Sequence, residues 1–302
     1  IKTYVDIREL DPDNVDIEIL NALQELYLEK EDWKSLCEIL NAKAVAVDDP
    51  EERKQLLFQC AAIYEDQLSD VESAIAIHNE ILNDEAGEPT ALDCLERLYL
   101  GQERWQDLFN VYAQKIEIAE DDETRIELYV KQGVLQETKL EDNPGAIETY
   151  NQVLAIQDSE PRALEALDRL YIGAEDWDSL LNILERREAI CEDDAARVEF
   201  KFRQAECDYR NRNDVTTAID VYNAVFELDA EHEASIASLE EIISHAADDA
   251  DAAENAAAAA RVLVPVYQGL GRAQELVKVY EVLVSASTDA EEAIELLSYI
   301  GQ

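Results

Sequence analysis

Trp33, Trp105 and Trp177 stand 72 residues apart each time, and most of the chain repeats with them. Leu26-Tyr27-Leu28 precedes the first, Leu98-Tyr99-Leu100 the second and Leu170-Tyr171-Ile172 the third, with Leu36, Leu108 and Leu180 three residues after. A fixed long period means that one supersecondary unit is stacked on copies of itself, so the core runs continuously along the chain. A length of 302 residues would otherwise suggest roughly two domains. With only Gly 8 and Pro 6, the composition suits long helices rather than a turn-rich sheet protein.

Each period divides into two helical hairpins. Ala91-Leu92-x-x-Leu95-x-x-Leu98-Tyr99, then Gly101, then Trp105-x-x-Leu108-x-x-x-Tyr112 gives apolar residues three and four apart, one face of each helix. Gly101 and Gly173 stand where a helix should end, and a left-handed cap there favours glycine. The second hairpin opens at Asp121-Asp122 … Arg125, matched by Asp49 … Arg53 and Asp193-Asp194 … Arg197, with the acids as helix caps. It closes on Ala74-Ile75-x-x-His78-Asn79, Ala146-Ile147-x-x-Tyr150-Asn151 and Ala218-Ile219-x-x-Tyr222-Asn223. Pro89 and Pro161 then restart the cycle at a first helical turn.

The Ala-Ile-x-x-Tyr helix, followed by Leu228-Asp229 and restarting near Pro161, resembles the tetratricopeptide repeat, a helix–turn–helix unit of about 34 residues. The resemblance implies an all-α, right-handed superhelical solenoid of antiparallel helix hairpins, with about 16 or 17 helices. It would occupy residues 1–302 as a single array: the end of a preceding repeat at 1–16, then repeat pairs at 17–88, 89–160, 161–232 and 233–302. The small residue that the family places midway along the first helix falls at Ala61, Gly133 and Ala205. Glu96 and Asp168 take that place in the tryptophan-bearing hairpins, which implies wider packing there.

The pattern breaks after residue 232. An Ala/Asp-rich insertion lies near 246–262, and Tyr267-Gln268-Gly269 then resumes the register of Tyr99-Leu100-Gly101. The added residues amount to about one helix, and Pro265 should kink the next helix or mark its start. Tyr4-x-x-Ile7-x-x-Leu10 resembles a closing helix and Ile294-x-Leu296 … Gly301 an opening one, so both ends read as cut through a repeat. With Ile at position 1 and Met 0, the chain reads as processed or excised from something longer.

Seventy acids against 25 bases give a net charge of −45, spread evenly along the array. That excludes a nucleic-acid partner, which needs clustered Lys and Arg, and describes either a solvating surface or an acidic face for basic ligands. Apolar runs are too short for direct membrane insertion. Cys37, Cys60, Cys94, Cys191 and Cys207 form no CxxC pair and replace packing residues of other periods. Unpaired thiols and the lack of a signal pattern point to the cytoplasm.

No catalytic, metal or cofactor motif stands out, so an enzyme is not expected. Asp11-x-Asp13-x-x-Asp16 lacks the Gly and Glu of a calcium loop. His78 replaces Tyr150 and Tyr222, which makes it a packing residue. The tryptophans read as clamps of second helix on first, Asn79, Asn151 and Asn223 as partners of a turn, and Arg53, Arg125 and Arg197 as partners of helix-start acids.

In repeats of this family the first helices line the concave wall. The resemblance therefore places Phe58, Val130 and Phe202 on that wall, with Glu127, Glu199 and Glu206 beside them. An apolar stripe with acidic borders suits a protein or peptide that bears apolar anchors and basic residues; packing between neighbouring helices is the other reading of the same residues. The expected function is a non-catalytic protein- or peptide-binding scaffold or adaptor. The alternatives are self-association through uncapped ends into a fibre or large complex, and a regulatory array of a larger enzyme or secretion or motility protein.

Overall fold

The computed structural model describes residues 17–245 and 250–287, with Ile294, Leu297 and Ser298. The expected repeat end at 1–16, the start of the insertion at 246–249 and the opening-helix pattern ending at Gly301 lie wholly or mainly outside the described residues. Among the described residues there are fifteen α-helices and no strand. They alternate as first and second helices: α1 Ile17–Glu29 and α2 Trp33–Ala46, α3 Pro50–Asp66 and α4 Val71–Asp84, α5 Pro89–Gly101 and α6 Trp105–Ile118, α7 Asp122–Leu135 and α8 Asn143–Ile156. The series continues with α9 Pro161–Ala174 and α10 Trp177–Ile190, α11 Asp194–Glu206 and α12 Val215–Leu228, then α13 Glu233–Ser244, α14 Ala250–Leu270 and α15 Ala273–Ala286.

The chain packs as two units, Ile1–Gln152 and Val153–Gln302. Within the first, each helix from α1 to α6 packs on the next in sequence. One core spans α2 to α5 around Cys37, Leu57, Cys60 and Ile81, and another spans α4 to α7 around Leu92, Leu95 and Leu108. Tyr64 and Leu82 pack against both, so no polar layer separates successive hairpins. In the second unit α9 to α15 also pack serially, over a core that includes Ala205, Tyr222, Leu239, Leu263 and Tyr267. Neighbour-to-neighbour burial is the physical content of a repeat array.

Helix starts follow the sequence. Asp49, Asp121 and Asp193 accept backbone N–H bonds from Glu51, Thr124 and Ala196 at 3.1, 2.7 and 3.0 Å. Pro89 and Pro161 occupy the first turns of α5 and α9, where a missing N–H costs nothing.

Helix ends do not follow the expected glycine caps. Among the described residues the left-handed non-glycine positions are Glu31, Glu103 and Glu175 in one turn of the period and Ser69, Glu141 and Asn213 in the other, while Gly87, with φ 82°, takes positive φ between α4 and α5. Gly101 is still helical as the last residue of α5, and Gly173 lies inside α9. An L-residue in the left-handed region costs about 1–2 kcal/mol, which the packing of two helices on either side outweighs. The resumed repeat carries the glycine instead: Gly271, with φ 69°, stands where Glu103 stands.

The Ala-rich run forms no separate helix. Its described part merges with the following segment into the 21-residue α14, which packs on α12, α13 and α15. Alanine has the highest helix propensity, and the two weak helix formers of the stretch, Pro265 and Gly269, both sit inside the helix near its C-terminal end. The small side chains of Ala256, Ala257, Ala259 and Ala260 are all buried, so close approach replaces bulk there.

Candidate interaction surface

Phe58 lies on α3, Val130 and Glu127 on α7, and Phe202, Glu199 and Glu206 on α11, all first helices. Val130 is buried, whereas Phe58 and Phe202 are half-buried. The aromatic rings brace the closing helix of their own hairpin, Phe58 lying 5.9 Å from the His78 ring and Phe202 6.2 Å from Tyr222, and Phe202 also meets His232, the cap of α13, edge-on at 5.0 Å. The small residues beside them have a clear reason. A Cβ added at Gly133 would stand 2.8 Å from the Tyr150 ring, and Ala61 and Ala205 are buried at the same register.

The three glutamates separate. Glu127 and Glu199 are exposed. Glu206 instead turns inwards and accepts hydrogen bonds from Tyr222 Oη at 2.5 Å, from Ser238 Oγ at 2.6 Å and from Arg210 Nε at 2.5 Å. Burial pushes its carboxyl up, but the bonds from Ser238, Tyr222 and Arg210 hold it below the usual carboxylate range. Glu206 thus ties α11 to α12 and to α13, a role that its spacing from Phe202 did not reveal.

The equivalent junction two pairs earlier in the first unit, between α3, α4 and α5, is built differently. His78 takes the tyrosine's place and Cys94 that of Ser238. The carboxylate comes from Glu65: its Oε1 lies 3.4 Å from His78 Nε2, and its Oε2 accepts from Arg97 Nη2 at 2.5 Å. His78 is 2% exposed and its Nδ1 has no hydrogen-bond partner. Burial pulls the imidazole below its ordinary pKa, against the pull of Glu65, so it is neutral at neutral pH.

Glu96 and Asp168, which take the small residue's place, are each pinned by two cations. Glu96 pairs with Lys115 of α6 and, at 3.4 Å, with Lys131 of α7. Asp168 pairs with Arg187 of α10 and takes both prongs of Arg203 on α11, at 2.9 and 2.6 Å. The uncharged counterpart is Gln24, which accepts from Lys43 Nζ at 2.7 Å. Burial would lower the Lys115 pKa, yet Asp93 and Glu96 raise it above the usual value, and Asp168 raises that of Arg203. Glu96, Lys115 and Lys131 recur one period later as Asp168, Arg187 and Arg203, so the cluster was readable from acid and base positions taken together.

The remaining recurrent residues are structural. Trp33, Trp105 and Trp177 open α2, α6 and α10 half-buried, Trp33 and Trp105 against the first-unit cores, with Lys139 Nζ 4.9 Å from the Trp105 ring. Asn79 and Asn151 donate back to the carbonyls of Ile75 and Ile147, each at 2.9 Å, and Asn79 also donates to Tyr99 Oη of α5 at 3.2 Å. Arg125 and Arg197 pair with the helix-start acids Asp122 and Asp194, whereas Arg53 reaches Glu80 and Asp84 on α4. All five cysteines are free; Cys37, Cys60 and Cys207 are buried, and Cys94 and Cys191 half-buried. No helix among the described residues is long and apolar enough to cross a membrane.

These hairpins define the class: the chain is a tetratricopeptide-like, all-α helical repeat protein. A tetratricopeptide repeat family model matches residues 91–126, which cover most of α5, all of α6 around Trp105 and the start of α7. Similar solved structures include a tetratricopeptide repeat protein from Parabacteroides merdae, 15% identical over 94% of this chain and 98% of that one, with a TM-score of 0.33. YrrB, a repeat protein with an unusual peptide-binding site, is 12% identical over 61% of this chain and 90% of its own, with a TM-score of 0.34. The Naa15/Naa10 complex bound to HypK-THB is 14% identical over 82% of this chain and 39% of that chain, with a TM-score of 0.42. No curated protein matches the sequence.

Proposed function

We propose that the chain is a protein-interaction scaffold whose first helices receive a segment with apolar anchors and basic flanks. In the first unit Phe58 and Val130 supply apolar surface and Glu127 an acidic border; in the second Phe202 and Glu199 do so. The observation that carries the reading is that Phe58 and Phe202 stay half-exposed at equivalent positions of first helices, with Glu199 exposed one turn from Phe202. A half-buried ring held by neighbours is a preorganised anchor, since little side-chain entropy remains to be lost on binding. Val130 and Glu206 are the weaker members, because one is buried and the other is engaged within the chain.

The test is capture of peptides from a random display library, followed by anisotropy with the enriched sequences at low and high salt. Enrichment of apolar, basic peptides whose binding weakens with salt and drops in Phe58→Ala or Phe202→Ala supports the proposal. Binding that is indifferent to both substitutions and to Glu199→Lys removes it.

A further inference from the structure

We propose that Glu65, His78 and Cys94 form a binding site for one borderline divalent cation, Zn2+ by preference, at the junction of α3, α4 and α5. One donor comes from each of three successive helices, and the three donor atoms lie within 4.8 Å of one another. Zn2+ holds thiolate sulfur at about 2.3 Å and nitrogen or oxygen at about 2.0–2.2 Å, which spaces tetrahedral neighbours roughly 3.3–3.6 Å apart. His78 Nε2 and Glu65 Oε1 already stand at 3.4 Å, long for a hydrogen bond but matched to two ligands of one ion. Bringing in the Cys94 sulfur takes at most on the order of 1 Å, within reach of a side-chain adjustment.

The chemistry of the set points to the same ion class. A thiolate with an imidazole selects zinc-like metals over calcium or magnesium, which take oxygen. One thiolate and one carboxylate neutralise the divalent charge, the thiol proton leaving to solvent on binding. Arg97 bonds the second Glu65 oxygen and so fixes the carboxylate for single-oxygen ligation. Cys94 is only half-buried, which leaves a fourth position for water at the protein edge. The junction also leaves the histidine weakly served: the His78 ring is 2% exposed, and Nε2, the nitrogen that would take the ion, has the 3.4 Å approach to Glu65 as its polar contact. At the same register Tyr222 is bonded at 2.5 Å to Glu206, so the burial of His78 is less well compensated than that of Tyr222.

Two substitutions test the site with residues that the chain already uses there: His78→Tyr, as at Tyr150 and Tyr222, and Cys94→Ser, as at Ser238. The whole chain, reduced and metal-free, is titrated with Co2+ alone, and its melting is followed with and without Zn2+. The expected result is one Co2+ per chain with a near-ultraviolet thiolate-to-cobalt band and a Zn2+-dependent rise in melting temperature. Both signals vanish in each variant while cooperative melting persists. A wild-type chain without the band, or a band that survives Cys94→Ser or His78→Tyr, overturns the proposal.

Discussion

Asp168 on α9 and Arg203 on α11 meet as a two-pronged ion pair, Nη1 to Oδ2 at 2.9 Å and Nη2 to Oδ1 at 2.6 Å. Asp168 is 3% exposed and is bonded by Arg187 of α10 as well, so one carboxylate ties three helices. Parallel N–H bonds to a carboxylate are among the stronger polar contacts a protein makes, and here they replace the small residue that lets two helices approach.

Asp168→Ala restores the residue type usual at this place in the family, and it should nonetheless destabilise. Both guanidinium groups lose their common partner. Because the Arg187 and Arg203 side chains are 24% and 29% exposed, they can turn towards water, which limits the loss to about 1–3 kcal/mol. Urea unfolding measures it. Arg125→Ala, which removes the pair with exposed Asp122, should change stability by less than about 1 kcal/mol.

The glycines divide by position. Gly101 and Gly173 are helical and an added Cβ would meet nothing within 4 Å, so alanine should stabilise by about 0.5–1 kcal/mol at each. Gly133→Ala should instead cost about 1–3 kcal/mol, because the buried Tyr150 ring has to shift. If these were left-handed caps, as the sequence pattern suggested, Gly101→Ala and Gly173→Ala would lower the melting temperature.

Acid titration should register Glu206. Its folded pKa lies below the ordinary 4.5, so the stability it contributes is present above that value and is lost as pH falls through the depressed one. Glu206→Gln should therefore be less stable than wild type at neutral pH, with the gap closing below about pH 4.5. A gap of constant size from neutral to acid pH would exclude this role.

Thiol labelling should resolve the cysteines. Cys37 and Cys60 are fully buried, each sulfur 3.8 Å from the other's carbonyl oxygen, and burial raises the Cys94 and Cys207 thiols. The half-buried Cys191 should react first with a small disulfide reagent, and Cys191→Ser should remove that first phase. Denaturant should expose the rest.

Much of this was legible in the sequence because the period allows each residue to be compared with its copies. The capping aspartates, the small positions and the packing role of His78 all follow from local pattern. What escaped depends on partners in other helices. Glu206 reads as a surface acid beside Phe202, yet its ligands Tyr222 and Ser238 sit 16 and 32 residues away on α12 and α13. Glu96 and Asp168 look misplaced until Lys115 and Lys131, or Arg187 and Arg203, are set against them. The left-handed glutamates were missed for another reason: turn propensity favours glycine, and tertiary packing overrides it.

The joints between repeat pairs are interchangeable parts. Glu88 caps α5 by accepting from Ala91 N at 2.6 Å, Glu160 caps α9 by accepting from Arg162 N, and a proline follows each. Excising residues 89–160 would set Pro161 directly after Glu88, where Pro89 stood, and rebuild the same joint from the same pieces. Each copy brings its own cap and its own left-handed turn. A chain made this way can change length by duplication or loss of a whole pair without any new turn having to evolve.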